Sequence, residues 1–172
     1  VELFTSEGCS SCPAADKLLA DLAAASPADA NVFFLAYHVD YWDKLGWPDR
    51  FATAANTQRQ RLLQREMSAS YVYTPQVVHN GRDLRGWSKA ELKPLARSTV
   101  DVTLARQGNT VRATVDAPEL HVAGFWAVLE DGHRSRVTAG ENAGEALTHD
   151  HVVTRYEPVS AWNGSAGRRS FT

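Results

Sequence analysis

Glu2-Leu3-Phe4-Thr5-Ser6-Glu7-Gly8-Cys9-Ser10-Ser11-Cys12-Pro13-Ala14-Ala15-Asp16-Lys17-Leu18-Leu19-Ala20-Asp21-Leu22 is the stretch on which the reading of this chain turns. Val1 to Thr5 reads as a short strand, and Pro13 to Leu22 as a helix that begins just after two cysteines. Cys9 and Cys12 are the only two cysteines in 172 residues. They close too small a loop to remove much entropy from the unfolded chain, so a purely structural staple is a poor use of them. Reversible exchange suits them better: one thiolate attacks a partner disulfide and the second thiol resolves the mixed disulfide. Where a strand passes into a helix N-terminus, a thiolate is stabilised by the helix dipole and by free backbone N–H groups. Two other uses stay open. Half of a zinc site needs two further ligands at regular spacing, but there is no second CxxC, and the histidines offer one close pair, His149 and His151. Two inert buried thiols would need no special context.

The length fits one large domain or two small ones. Apolar residues make up 44% and charged residues 22% of the chain, the composition of a soluble globular protein. A net charge of −2 without a basic block gives no support to nucleic-acid binding. No apolar run approaches the roughly 20 residues of a membrane-spanning helix. The chain starts inside its first expected strand, which suggests a processed or trimmed protein.

Working outward, Asn31 to Val39 is a continuous apolar run, as in a strand covered on both faces. Asp40 to Pro48 is an aromatic loop, and a second helix is expected from about Pro48-Asp49 to Met67, its polar residues marking a solvated face. Gln76 to His79 reads as a strand, Asn80-Gly81 as a tight hairpin turn, and Asp83 to Gly86 as the returning strand. Ser88 with Glu91 forms a capping box for a third helix ending near Ser98. From Val100 the texture changes to period-two alternation: Val100–Ala105 and Thr110–Val115 around a Gln107-Gly108-Asn109 turn, then Gly124–Glu130, a turn at Asp131-Gly132, and His151–Tyr156. Thr138 to Leu147 reads as a loop. The expectation is an α/β fold of residues 1–98 (strand-helix-strand-helix-strand-strand-helix) with a small antiparallel, sandwich-like β-rich region of residues 99–172 docked on it.

Strand–CxxC–helix, this element order and the Thr74-Pro75 dipeptide before a hairpin resemble the thioredoxin fold. More narrowly, Glu2 to Pro13, His38-Val39-Asp40-Tyr41-Trp42-Asp43, Leu45-Gly46-Trp47, Tyr73-Thr74-Pro75-Gln76, Gly140-Glu141-Asn142-Ala143-Gly144 and His149-Asp150-His151-Val152-Val153 resemble an uncharacterised family of secreted bacterial thioredoxin-like proteins. The resemblance implies a periplasmic or secreted protein, a cis Pro75 facing the cysteine pair, Cys9 as the more exposed nucleophile and Cys12 as the resolving thiol. It implies no substrate. Three departures stand out. Ordinary thioredoxins carry an aromatic residue where this chain has Gly8, a buried acid where it has Leu3, and Gly-Pro where it has Ser10-Ser11. Without that acid the proton acceptor for the resolving thiol is open. Glu7 is near in sequence, but a carboxylate beside a thiolate raises its pKa; Glu2 and Asp40 are further candidates.

The catalytic candidates are therefore Cys9, Cys12 and Pro75. Thr74, Tyr41 and Trp42 are substrate-side candidates, although Tyr41, Trp42 and Trp47 serve equally as a hydrophobic seam against the β-rich half. Ser10 and Ser11 offer hydroxyls to a thiolate or are simply small loop residues. His38 and Asp40, at a strand end, either tune a thiolate or anchor their own loop. Glu141, Asn142, His149 and His151 are the most polar group of the second half; alternation puts both histidines on one strand face, a two-ligand metal edge lacking a third ligand. The expected function is thiol-disulfide oxidoreduction on protein thiols and disulfides or a small thiol, needing no cofactor beyond the redox-active disulfide. The alternative is a binding protein on the same fold, either a metal or copper carrier using the cysteines with a histidine or a protein-interaction module using the β-rich half. Substrate, direction of electron flow and oligomeric state are not written in the sequence.

Overall fold

A computed structural model describes residues 1–27, 32–89, 100–116 and 121–163. The order is β1 (Glu2–Thr5), α1 (Cys12–Ala25), β2 (Leu35–His38), a 3-10 helix (Asp40–Leu45), α2 (Ala54–Glu66), β3 (Gln76–His79), β4 (Arg82–Asp83) and a 3-10 turn at Trp87–Lys89. Six strands follow: β5 (Asp101–Gln107), β6 (Thr110–Asp116), β7 (His121–Glu130), β8 (His133–Arg136), β9 (Ala146–His149) and β10 (Val152–Asn163).

The core is a mixed six-stranded sheet in the order β4-β3-β1-β2-β10-β7. Strand β1 runs parallel to β2 and antiparallel to β3, with Phe4 opposite Tyr37 on one side and Gln76 on the other. Two-residue side-chain periodicity then sorts β1 between the faces. Leu3 packs with Ala15 and Leu19 of α1, whereas Phe4 packs with Tyr37, Val39 and Leu63 of α2. Coverage on both faces fits the unbroken apolar run read around β2. The Asn80-Gly81 turn has φ of 50° and 75°, as a tight two-residue hairpin needs.

Contacts divide the chain into two compact units: Val1–Leu92 with Ala127–Tyr156, and Lys93–Trp126 with Glu157–Thr172. In the second, β5 and β6 form the hairpin read from alternation, Asp101 opposite Asp116 and Gln107 opposite Thr110. Strands β8 and β9, for which four residues each gave too short a pattern to read, pair as a small hairpin with His133 opposite His149.

Other boundaries also move. Strand β2 keeps only Leu35–His38 of the apolar run. Helix α2 begins at Ala54, six residues after the expected Pro48, because Thr53 caps it by accepting the Asn56 N–H and the chain before it is spent on contacts at the strand ends. The solvated face expected of α2 is only half of its polar character: Asn56, Thr57 and Gln60 are buried. Their side chains are hydrogen-bonded rather than hydrated. Asn56 donates to the His38 carbonyl, Thr57 to Asp40, and Gln60 to the Tyr73 carbonyl and to Gln76. Ser88 lies within the 3-10 turn Trp87–Lys89, and the rest of the expected third helix, Glu91 included, lies outside the described residues.

Candidate functional site

Backbone geometry builds the site first. The chain leaves β1 and turns through Ser6–Cys9, with the Cys9 N–H donating to the Ser6 carbonyl at 3.1 Å. The Cys12 N–H donates to the Cys9 carbonyl at 3.1 Å and starts α1, in which Pro13 occupies the first turn. A proline is suited to that turn because its missing N–H would have no helical partner. Cys9 and Cys12 are joined as a disulfide, and both are buried, at 1% and 0% exposure. The greater exposure expected of Cys9 is therefore not found in the disulfide form. Ser10 and Ser11 are exposed, and the Ser11 hydroxyl lies 3.4 Å from Cys9 Sγ.

A Cβ on Gly8 would lie 3.3 Å from Trp42 Cβ, so Trp42, from the 3-10 helix, stands against this position. Its indole Nε1 donates to Thr74 Oγ1 at 2.7 Å. The Thr74–Pro75 peptide is cis, and Pro75 is buried. Trp42 thus spans from the residue before Cys9 to the residue before Pro75. Tyr41 packs beside it and donates its hydroxyl to Gln60.

Beneath the disulfide loop is a buried set of ionisable groups that the sequence did not bring together. Glu7 accepts the Trp47 indole N–H on Oε2 at 2.7 Å, and its Oε1 lies 3.1 Å from His149 Nε2. Its own N–H donates to Asp49 Oδ2 at 2.8 Å, and that oxygen lies 2.6 Å from His38 Nδ1. The two imidazole rings meet edge to face at 4.9 Å, with Phe51 packed against both. Asp16, one turn after Cys12 on α1, approaches the other ring nitrogen of His149 at 3.9 Å.

Burial pushes the Glu7 carboxyl up, but hydrogen bonds from His149 and Trp47 outweigh it and hold Glu7 below its ordinary value. Asp49 follows the same pattern through His38, and His38 is raised because Asp49 outweighs the burial that would lower it. Asp16 differs: burial raises its carboxyl, and attraction to His38 and His149 offsets only part of that. Asp16 Oδ1, His149 Nδ1, His38 Nε2 and Thr5 Oγ1 lack hydrogen-bond partners among the described residues. Each such atom costs about 1–3 kcal/mol, and costs of this kind concentrate where polar groups are kept for chemistry.

Of the remaining sequence candidates, Asp40 is tied to Thr57, accepting its hydroxyl at 2.6 Å, and Glu2 is held in a bidentate pair by Arg59. His149 faces inward at the end of β9. His151 follows in a left-handed conformation (φ 57°) and turns to Asp131. The two histidines therefore share no strand face, because β9 ends at His149 and the alternation breaks. Among the described residues no group of three or more His, Cys, Asp or Glu side chains is arranged to hold a metal ion. No described helix is long and apolar enough to cross a membrane. Asp16 and Asp49 escaped sequence reading, whereas Asn142 was singled out only as part of a polar group and not for its bonds to the Glu7 and Cys9 carbonyls. Asp16 alone carried a local signal, its i, i+4 spacing from Cys12.

Together these features define a mixed-sheet α/β protein with a buried CxxC disulfide at a helix N-terminus, backed by carboxylates and imidazoles. The chain belongs to the family described as proteins of unknown function, DUF1223, which matches residues 1–172. It is similar to a protein from Agrobacterium tumefaciens solved by X-ray crystallography as a structural genomics target. The two share 31% identity with a TM-score of 0.70, over 95% of this chain and 72% of that one. Among curated proteins none matches.

Proposed function

We propose that this protein is an exported thioredoxin-like thiol-disulfide oxidoreductase that works through Cys9 and Cys12. One observation carries the reading: the chain's only two cysteines are bonded to each other at the start of α1, where helix N–H groups favour a thiolate. The β4-β3-β1-β2 order with β3 antiparallel, and the Trp42 bridge from Gly8 to Thr74, support the thioredoxin-like assignment. Export rests on the resemblance of the sequence motifs.

In the reducing direction, the Cys9 thiolate attacks one sulfur of a substrate disulfide. The substrate S–S bond breaks, and its other sulfur leaves as a thiolate that takes up a proton. Cys12, deprotonated, then attacks Cys9 Sγ in the mixed disulfide. The Cys9–substrate bond breaks, the substrate leaves as its second thiolate, and the Cys9–Cys12 disulfide carries the two electrons' worth of oxidation. Asp16 is suited to take the Cys12 proton: it lies on the same helix face one turn on, is largely buried, and its raised carboxyl pKa makes it a better base than an ordinary aspartate. Oxidation of substrates is the reverse sequence.

The test is equilibration with glutathione redox buffers, followed by trapping with Cys12→Ser. The expected result is a defined reduction potential and a stable mixed disulfide on Cys9. A pair that glutathione neither reduces nor re-forms, or a Cys12→Ser protein that traps nothing, would overturn the reading.

A further inference from the structure

Glu141 stands outside the buried cluster, as an exposed carboxylate on the loop joining β8 and β9. Even so, its Oε2 accepts the backbone N–H of Ser10, the residue after Cys9, at 3.0 Å. Its placement is not casual. The next residue, Asn142, is buried, and its Nδ2 donates to the Glu7 carbonyl at 2.8 Å and to the Cys9 carbonyl at 3.0 Å. The preceding residue, Gly140, has φ of 74° and runs so close to Trp47 that a Cβ would lie 3.2 Å from that side chain. The loop is thus pinned on both sides of the carboxylate.

We propose that Glu141 is a positioning residue that lowers the reduction potential of the Cys9–Cys12 pair, by holding a negative charge on the backbone N–H of the residue next to Cys9. The inference rests on the oxidoreductase reading and adds regulation of the same site. Reduction by glutathione makes the balance explicit. A first glutathione thiolate attacks Cys9 Sγ, the Cys9–Cys12 bond breaks, and Cys12 leaves and is protonated. A second attacks the glutathione sulfur of the mixed disulfide, releasing oxidised glutathione and the Cys9 thiolate. Negative charge therefore appears at Cys9 only in the reduced form. In the disulfide form Ser10 N–H and Glu141 satisfy each other at no electrostatic cost. In the reduced form the carboxylate, held on the residue next to Cys9, repels the thiolate. The bond from Ser10 also holds the Glu141 carboxyl below its ordinary value, so it is charged at neutral pH. A less stable reduced form means a lower potential, the converse of an oxidant whose reduced form is stabilised. Glu141 thus keeps the pair oxidised at rest.

The experiment compares wild type with Glu141→Gln and Glu141→Ala in glutathione redox buffers at fixed neutral pH, and titrates Cys9 by its ultraviolet thiolate absorbance. Glutamine keeps an acceptor for the Ser10 N–H and removes only the charge. Both variants are expected to favour the reduced form by about three- to tenfold, or about 15–30 mV, with a lower Cys9 pKa. If Gln behaves as wild type while Ala shifts, the hydrogen bond alone acts and the proposal is overturned. If neither shifts while all three proteins show defined potentials, the Glu141 inference falls and the oxidoreductase reading stands. If wild type does not exchange with glutathione at all, both fall together.

Discussion

In the proposed exchange, Asp16 would set chemistry against stability. Burial raises its folded carboxyl pKa. As pH rises from the unfolded value, the unfolded chain therefore ionises more readily than the folded one, and the fold loses stability until the folded group has ionised too. Above that point the penalty is constant. Asp16→Asn should then raise the thermal midpoint at neutral pH by about 2–4 °C, the response of a chain this size to about 1 kcal/mol. It should also slow resolution of the Cys9 mixed disulfide, following the stability–activity trade-off expected of active sites. A midpoint that falls, or an unchanged resolution rate, removes Asp16 from the mechanism. Local sequence pointed to Cys9 and Cys12 because a CxxC pair is legible from its spacing alone. It did not single out Asp16, since carboxylates on helices are common and mostly solvated.

At the scale of elements, the 3-10 helix Asp40–Leu45 and the loop joining β8 and β9 approach the disulfide loop from separate parts of the sequence. Gly8 is where the first approach is tightest, since its missing Cβ leaves room for Trp42. Gly8→Ala should push Trp42 outward by a few tenths of an ångström and loosen its bond to Thr74, at a cost of about 1–3 kcal/mol in urea unfolding. An alanine protein as stable as wild type would mean that Trp42 is not tightly seated. The aromatic loop Asp40–Pro48 was legible as a loop of interest from its tryptophans, but its short helix was not, nor was its choice between platform and seam. Trp42 and Trp47 proved to be committed by their indole N–H groups, to Thr74 and Glu7. The buried polar face of α2 was equally hidden: periodicity registers polar residues but not whether a partner awaits them.

For the whole molecule, the buried cluster sets the response to pH. Glu7 and Asp49, both depressed, stabilise the fold fully above their unfolded values of 4.5 and 3.8, and this is lost as pH falls through their folded values. His38, raised, stabilises fully below its unfolded value of 6.5, and this is lost as pH rises through its folded value. All three contributions coexist between 4.5 and 6.5, while the Asp16 penalty sets in as pH rises above its unfolded value of 3.8. Thermal midpoints scanned from acid to alkaline pH should therefore peak in that mildly acidic window; a maximum above neutrality would contradict this balance. Sequence alone determined the mixed α/β character, the strand-to-helix seat of the CxxC pair, the Asn80-Gly81 turn and the β5–β6 hairpin, because each is encoded by spacing within one or two elements. Tertiary structure decided the rest of the site. His149 meets Glu7 across 142 positions and Asn142 meets the same residue across 135. No local pattern signals pairs so distant, because they form only when the β8–β9 hairpin and its loop pack against the turn after β1 and bury their polar groups together.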